Sequence, residues 1–269
     1  MDRNTLAAAI AASIQRRVEP LREAFRSHDI PSVIVDDLLD EPTARHIGES
    51  FPDLAAMTHN ATLRERKSIG VTMDAYPPAI DAITFAFQDP AVIRAIAAIT
   101  AIDGLEGDPE LYAGGISSMV EGNFLNPHID NSHDLHQQRY RVLNLLYYVS
   151  PGWCRGDGGH LELWDDGVDH AQRIIECRFN RLVIMATNRS SWHSVSPVTG
   201  SGRRNCVSNY YFAAQPIEGE DYHHVTTFRA RPGQTLRDYV LQIDGIARNG
   251  LRKVFRRGLR PTKHVYQPK

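Results

Sequence analysis

Cysteine is scarce in this chain: of 269 residues only Cys154, Cys177 and Cys206 are cysteines, an odd number with no Cys-x-x-Cys pair. That argues against a disulfide framework and reads as reduced thiols in a reducing compartment. Net charge is nearly absent as well, with 30 basic against 32 acidic residues and a formal balance of −2. An obligatory nucleic-acid partner is not expected from such a surface. No apolar run approaches the ~20 residues a membrane span needs. Leu6–Ala12 is apolar, but it runs on into Ser13-Ile14-Gln15-Arg16-Arg17 with helical periodicity, so it reads as a helix and not as an export signal. The expected location is the cytoplasm. Repeats, low-complexity tracts and long linkers are missing too. What remains, 42% hydrophobic and 23% charged, is enough for one sizeable core.

The first half of the chain carries helical signals. Leu6, Ile10, Ile14, Val18, Leu21 and Phe25 recur at steps of three and four, which predicts one amphipathic N-terminal helix. Ser32–Val35 reads as a short strand. Asp40 with Pro42 starts a helix to about Ser50, and residues 53–66 look polar and irregular. Helices are expected from Pro77 to about Gln88 and from Asp89-Pro90 to about Ile102.

From Leu111 the pattern changes to short β-rich runs: Tyr112–Glu121, Val142–Ser150, Gly159–Asp165, Arg173–Cys177, Leu182–Thr187, Val195–Val198, Arg204–Phe212 and His224–Phe228. Turn residues such as Gly156-Asp157-Gly158-Gly159 and Asp165-Asp166-Gly167 separate them. The expected fold is mainly β with flanking helices, a double-stranded β-helix (jelly roll) packed by N- and C-terminal α-helices. It forms one catalytic domain over 1–269: helical support with early strands over 1–110, the jelly roll over 111–230, and C-terminal helices, Gln234–Ala247 and Gly250–Arg257, over 231–269. The last stretch carries Arg248, Arg252, Lys253, Arg256, Arg257, Arg260 and Lys263 with no acidic residue among them. It reads as a docked amphipathic helix with a solvated basic face; the alternative is a surface for an acidic substrate, membrane or partner.

The chemistry gathers around Asn126-Pro127-His128-Ile129-Asp130-Asn131 and Ser190-Ser191-Trp192-His193-Ser194-Val195. In extended backbone, residues i and i+2 share a face, so His128 and Asp130 can converge on one ion and His193 can complete the set from another strand. Two imidazoles and one carboxylate with three open positions are the ligands of non-haem Fe(II) oxygenases. Alone the pair is weak, because twelve histidines give such spacings by chance. Alternation also directs Val142, Asn144, Leu146 and Tyr148 inward from one strand, and Arg204, Cys206, Ser208 and Tyr210 from another. An inward arginine requires an anion, and a small dicarboxylate suits a guanidinium.

The region from about 111 to 213 resembles the Fe(II)- and 2-oxoglutarate-dependent dioxygenases, in particular their prolyl 4-hydroxylase-like branch. The carriers are His128-Ile129-Asp130-Asn131, Arg141-Val142-Leu143-Asn144-Leu145-Leu146-Tyr147-Tyr148, the Gly158-Gly159-His160-Leu161 turn, and His193-Ser194-Val195-Ser196-Pro197-Val198 followed by Arg204. The resemblance implies that His128, Asp130 and His193 are catalytic iron ligands. It implies that Arg204 grips the far carboxylate of 2-oxoglutarate with Tyr148 beside it. Asn144, inward on the same strand as Tyr148, is a candidate cosubstrate or substrate contact, the alternative being a satisfied buried amide. It also implies Fe(II), 2-oxoglutarate and O2, with ascorbate as an accessory reductant, and release of succinate and CO2. The family's halogenases lack the carboxylate ligand, so Asp130 favours hydroxylation. Two departures stand out. Ser118-Met119 replaces a tyrosine common in the family, and the loop from Asn131 to Tyr140 is longer and more polar. Asn131, His133 and Trp192 are the candidate substrate contacts.

The reading is therefore an oxidoreductase that hydroxylates an unactivated C–H of a small molecule, of amino-acid, peptide or sugar-containing type. A protein side-chain (prolyl-type) hydroxylase and a non-catalytic jelly-roll binding module are the alternatives. Oligomeric state is left open, a homodimer being one option.

Overall fold

The chain is described by a computed structural model covering residues 2–254 and 265–266. Helix α1 (Arg3–Gln15) begins where the Asp2 carboxylate accepts the Thr5 N–H at 3.0 Å. The single N-terminal helix expected from periodicity is two: α2 (Val18–Phe25) is separate. Pro20 is the physical reason. Inside a continuous helix its ring would clash with the Arg16 carbonyl, whereas in the first turn of α2 its missing N–H costs nothing. Strand β1 (Ser32–Val35) and helix α3 (Glu41–Glu49) follow, the Asp40 carboxylate capping Thr43 N–H at 2.9 Å.

The stretch expected to be irregular holds a hairpin, β2 (Thr58–Ala61) and β3 (Glu65–Gly70). Its alternation is hard to see because the inward side of β3 is itself charged. Helices α4 (Pro78–Ala86) and α5 (Pro90–Thr100) pack on α1, with Asp89 capping Ala91 N–H at 2.8 Å and Pro90 in the first turn.

The strands β4 (Gly115–Met119), β5 (Phe124–Ile129), β6 (Tyr140–Tyr148), β7 (Leu161–Leu163), β8 (Arg173–Ile175), β9 (Arg181–Ala186), β10 (His193–Val195), β11 (Arg204–Ala213) and β12 (Thr227–Phe228) complete a curled antiparallel sheet. Its order is β1-β9-β6-β11-β4-β3-β5-β10-β7-β8, with β12 added on β5 and β2 on β3. Strand β3 pairs with both β4 and β5 and so joins the two halves. This is the expected double-stranded β-helix with flanking helices.

Two cores result from the period of two on β6. Leu143, Leu145 and Tyr147 face the helices with Ile10, Ile14 and Ile96, while Leu146 and Tyr148 face inward with Leu161, Met185 and Cys206. The inward series does not extend to Val142, which belongs to the helix-side core. Arg141 and Leu143 lie opposite the consecutive residues Phe212 and Tyr211, so Val142 is the extra residue of a β-bulge. A bulge re-aims the side chain next to it, and here that side chain is Arg141.

Helix α6 (Thr235–Val254) also corrects the expectation of two C-terminal helices, because it continues through Gly250. A helical glycine costs only ~1 kcal/mol relative to alanine. Leu241 buries the helix against Phe228 and Ala230. Arg248 pairs with Asp244 at 3.0 Å; the remaining side chains of the basic run lie outside the described residues. Among the described residues no single helix is long and apolar enough to cross a membrane.

The wall behind β10 is held by a buried ionic network. Glu162 accepts Ser194 Oγ–H at 2.6 Å and pairs with Arg231 at 2.6 Å, while Trp164 Nε1–H donates to Ser194 at 2.8 Å. Glu162→Ala would leave a mostly buried guanidinium without its anion. The expected loss is about 3 kcal/mol, read as a lower urea midpoint; a midpoint unchanged from the wild type would show that the pair contributes no net stability.

Candidate active site

Strands β5 and β10 bring two imidazoles together: His128 and His193 are direct cross-strand partners, their ring centres 4.1 Å apart and their planes tilted by 46°. Asp130, one residue beyond the end of β5, stands between their far nitrogens. His128 Nε2 is 3.6 Å from one carboxylate oxygen and His193 Nε2 is 3.7 Å from the other. These separations are too long for hydrogen bonds, and Asp130 Oδ2 has no hydrogen-bond partner. One donor atom from each of the three lies within 4.8 Å of the other two.

The tautomers follow from the backbone. His128 Nδ1 sits 3.0 Å from the Asn126 carbonyl and His193 Nδ1 2.9 Å from the Ser191 carbonyl. A carbonyl only accepts, so each Nδ1 carries the hydrogen and each Nε2 presents its lone pair toward Asp130. Burial and the neighbouring His193 pull the His128 pKa down to about 3. Burial alone would raise the Asp130 pKa, but His193, Arg141 and His128 together hold it below the usual carboxylate value. Two imidazoles whose Nε2 lone pairs face an ionised carboxylate are the donor set that a divalent cation requires. With two nitrogens, one carboxylate and an open cavity in front, the set fits Fe(II). Phe228 of β12 stacks on His128 at 5.1 Å and fixes its plane.

A second polar station lies deeper in the barrel. Arg204, the first residue of β11, is 3% exposed and has no carboxylate partner among the described residues. Its Nε–H donates to the Gly159 carbonyl at 2.6 Å, Nη1 meets Met119 Sδ at 3.7 Å, and the guanidinium lies 4.8 Å from the centre of the Tyr148 ring. Gly159 has φ +67°, and a Cβ there would come within 2.8 Å of Arg204 Cδ, so the turn needs glycine for its backbone and for this approach. Tyr148 is fully buried and its hydroxyl makes no well-formed hydrogen bond; burial raises its pKa, keeping it a neutral donor. Asn144 lines the same cavity with an unpartnered carbonyl oxygen. Arg203 turns to the opposite side, as alternation along the strand requires, and donates to the Pro52 carbonyl at 2.8 Å. Met119 occupies the space under Arg204, and Ser118 faces away to donate to Asn205 at 2.6 Å.

The cavity that joins the two stations measures about 350 Å³. Asn131 lines it and donates to the His133 carbonyl at 2.5 Å. His133 is turned into an aromatic group with Tyr140 and His223, and Trp192 is not part of the wall. His160 accepts Cys177 N–H and donates to the Arg155 carbonyl, a structural role.

Three wall residues escape the reading of the sequence. Lys67 and Glu65 enter from β3, paired at 3.0 Å with Asn60 donating to Glu65 at 2.9 Å. Their signal is the spacing Glu65, Lys67, Ile69, legible as one strand face only once β3 is known to be a strand. Arg141 enters because of the bulge at Val142, and a bulge has no mark in the local sequence.

Comparison with known proteins agrees with this geometry. Residues 114–212 match the 2OG-Fe(II) oxygenase superfamily. No curated protein matches the chain. Among solved structures, a prolyl hydroxylase from Trichoplax adhaerens, in complex with a hypoxia inducible factor oxygen degradation domain peptide fragment, superposes with TM-score 0.54 at 15% identity, covering 75% of this chain and 91% of that one. A prolyl 4-hydroxylase from Phytophthora capsici gives 0.56 at 18% identity over 90% and 75%. The non-haem alpha-ketoglutarate-dependent epimerase SnoN of nogalamycin biosynthesis gives 0.52 at 13% over 83% and 89%. At these identities the three likenesses establish the shared fold.

Proposed function

We propose that the chain is an oxygenase of the 2OG-Fe(II) superfamily, the family that its residues 114–212 match, and that it hydroxylates an unactivated C–H of a small-molecule substrate. His128, Asp130 and His193 would hold Fe(II) from one side. Fe(II) supplies O2 activation coupled to oxidative decarboxylation of 2-oxoglutarate to succinate and CO2.

The protein's part is binding and orientation. Arg204, the buried cation without an anion, receives the far carboxylate of 2-oxoglutarate, and the neutral Tyr148 hydroxyl donates to the same group. Asn144 offers an amide to cosubstrate or substrate. Backbone carbonyls lock both imidazoles through Nδ1, so the rings need no reordering on metal binding. Phe228, Leu125 and Val195 give the cavity apolar walls that limit water. Asp130 fills the ligand position that must be free for halide, which supports hydroxylation over halogenation.

The observation that carries the small-molecule reading is the size and lining of the cavity. At about 350 Å³ it is at the lower end of ligand sites. The loop after Asn131 is tied down at its mouth: Asp134 pairs with Arg139 at 2.8 Å, and Tyr140 donates to Asp221 at 3.0 Å. A screen for succinate release against small metabolites, with Fe(II), ascorbate and 2-oxoglutarate, is expected to give substrate-dependent turnover. Silence across the panel, together with a cellular protein heavier by one oxygen in mass spectrometry, would transfer the reading to a protein side chain.

A further inference from the structure

We propose that Arg141 is a substrate-binding residue and that the substrate carries a carboxylate. This rests on the oxygenase reading and specifies the substrate class for the same site. Arg141 is 1% exposed and lines the cavity. Tyr210 covers one face of its guanidinium at 3.9 Å. Nη2 reaches the Tyr112 carbonyl at 3.4 Å, but Nε and Nη1 have no hydrogen-bond partner. Among the described residues its only carboxylate within ion-pair distance is Asp130, 3.7 Å from Nη1. That carboxylate is also the metal ligand. Once its charge is engaged by a cation, Arg141 has no anion left at ion-pair distance among the described residues. The buried Asp108 carboxylate, which also feels its charge, lies farther off. A buried charge so placed destabilises strongly unless something else supplies a partner.

The charges around the cavity lead to the same place. Its wall holds three cations, Lys67, Arg141 and Arg204, and two anions, Glu65 and Asp130. Fe(II) and doubly charged 2-oxoglutarate cancel one another, so the loaded cavity keeps one positive charge. Lys67 is paired with Glu65 at 3.0 Å, and Arg204 is the cosubstrate's anchor, which leaves the surplus on Arg141. The two arginines are held at different places along the wall. Arg141 lies over Tyr210, six residues along β11 from Arg204, about 20 Å at the rise of a strand. The far carboxylate of 2-oxoglutarate is assigned to Arg204, so it is not the anion that Arg141 requires. Arg141 therefore stands beside Asp130, away from the Arg204 end, where the substrate enters. The β-bulge that aims it there costs regular pairing, which is consistent with a residue placed for a ligand.

The test uses the full-length protein with Fe(II) and saturating 2-oxoglutarate under anaerobic conditions. The probes are straight-chain carboxylates from acetate to hexanoate and their primary amides, which match in shape but lack the charge. In the wild type, at least one acid is expected to bind at least about tenfold more tightly than its amide by titration calorimetry, a difference of ~1.4 kcal/mol. Arg141→Gln is expected to remove that preference and Arg141→Lys to keep part of it. The visible band of the Fe(II)/2-oxoglutarate complex should persist in Arg141→Gln. Equal binding of acids and amides by the wild type, no binding by any probe, or a preference that survives in Arg141→Gln would each overturn the assignment. If Arg141→Gln fails to fold, the acid-against-amide comparison in the wild type decides alone. Absence of the band from the wild type would overturn the oxygenase reading beneath it.

Discussion

His128→Ala and Asp130→Ala, each alone, are expected to abolish 2-oxoglutarate turnover and to weaken Fe(II) binding by more than about 100-fold. Loss of even an outer partner of a metal ligand typically costs ~10–100-fold in metal affinity, and these substitutions remove a ligand itself. The two variants should differ in stability. His128→Ala removes a ring stacked between His193 and Phe228 and leaves a cavity in a buried contact. Asp130→Ala removes the carboxylate that stands within ion-pair distance of two buried imidazoles and a buried guanidinium. Without metal, that leaves Arg141 with no carboxylate at ion-pair distance among the described residues. A direct measurement is the rise in Tm on adding Fe(II) anaerobically. A cation at 100 times its Kd stabilises by about 2.7 kcal/mol, or roughly 5–10 °C for a domain of this size. The wild type should show that rise and both variants should lose it. A rise retained in both would sink the ligand assignment.

The reasons these ligands could be read in the sequence, and others could not, are physical. His128 and Asp130 are two apart on extended backbone, and His193 is brought across by the register of β5 with β10; the first relation is local and the second topological. The inward series Arg204, Cys206, Ser208 and Tyr210 follows from a period of two because β11 lines the cavity without interruption from Arg204 to Tyr210. On β6 the same rule works from Asn144 to Tyr148 and fails at Val142, where one inserted residue shifts the phase and delivers Arg141 instead. Strand β3 shows a different limit. Its inward face is Glu65, Lys67 and Ile69, so the usual apolar-in alternation is replaced by charge, and the hairpin reads as irregular. At the N-terminus, hydrophobic periodicity continues across Pro20 although the helix does not, because α1 and α2 both pack on α5 after a turn. Periodicity reports which side is buried. It does not report whether the backbone is continuous.

Arg204→Met should separate the cosubstrate station from the metal. The substitution keeps much of the buried volume and removes the cation, so the far carboxylate of 2-oxoglutarate would enter an apolar pocket without a charge-assisted partner. Truncating one member of a buried, hydrogen-bonded charge pair costs about 2–5 kcal/mol, equivalent to a rise of roughly 30-fold or more in the 2-oxoglutarate concentration needed for half-maximal succinate release. Fe(II) binding should change little, because Arg204 touches Gly159, Met119 and Tyr148 and none of the three ligands. Arg204→Lys should recover only part of the loss, since a lysine lacks the planar fork. The neighbouring Arg203→Ala is the matched control: its guanidinium is bound to the Pro52 carbonyl and Ser118 on the far side of the strand, so the 2-oxoglutarate requirement should stay within about twofold of the wild type. Tyr148→Phe tests the remaining donor. Loss of one hydrogen bond to a charged group weakens binding by about 1.5–3 kcal/mol, an effect smaller than or comparable to that of the arginine. An unchanged requirement in Arg204→Met would refute the anchor. Cosubstrate binding would then have to rest on Lys67 or Arg141, the two other cations of the cavity, and the charge surplus assigned to Arg141 would disappear with it.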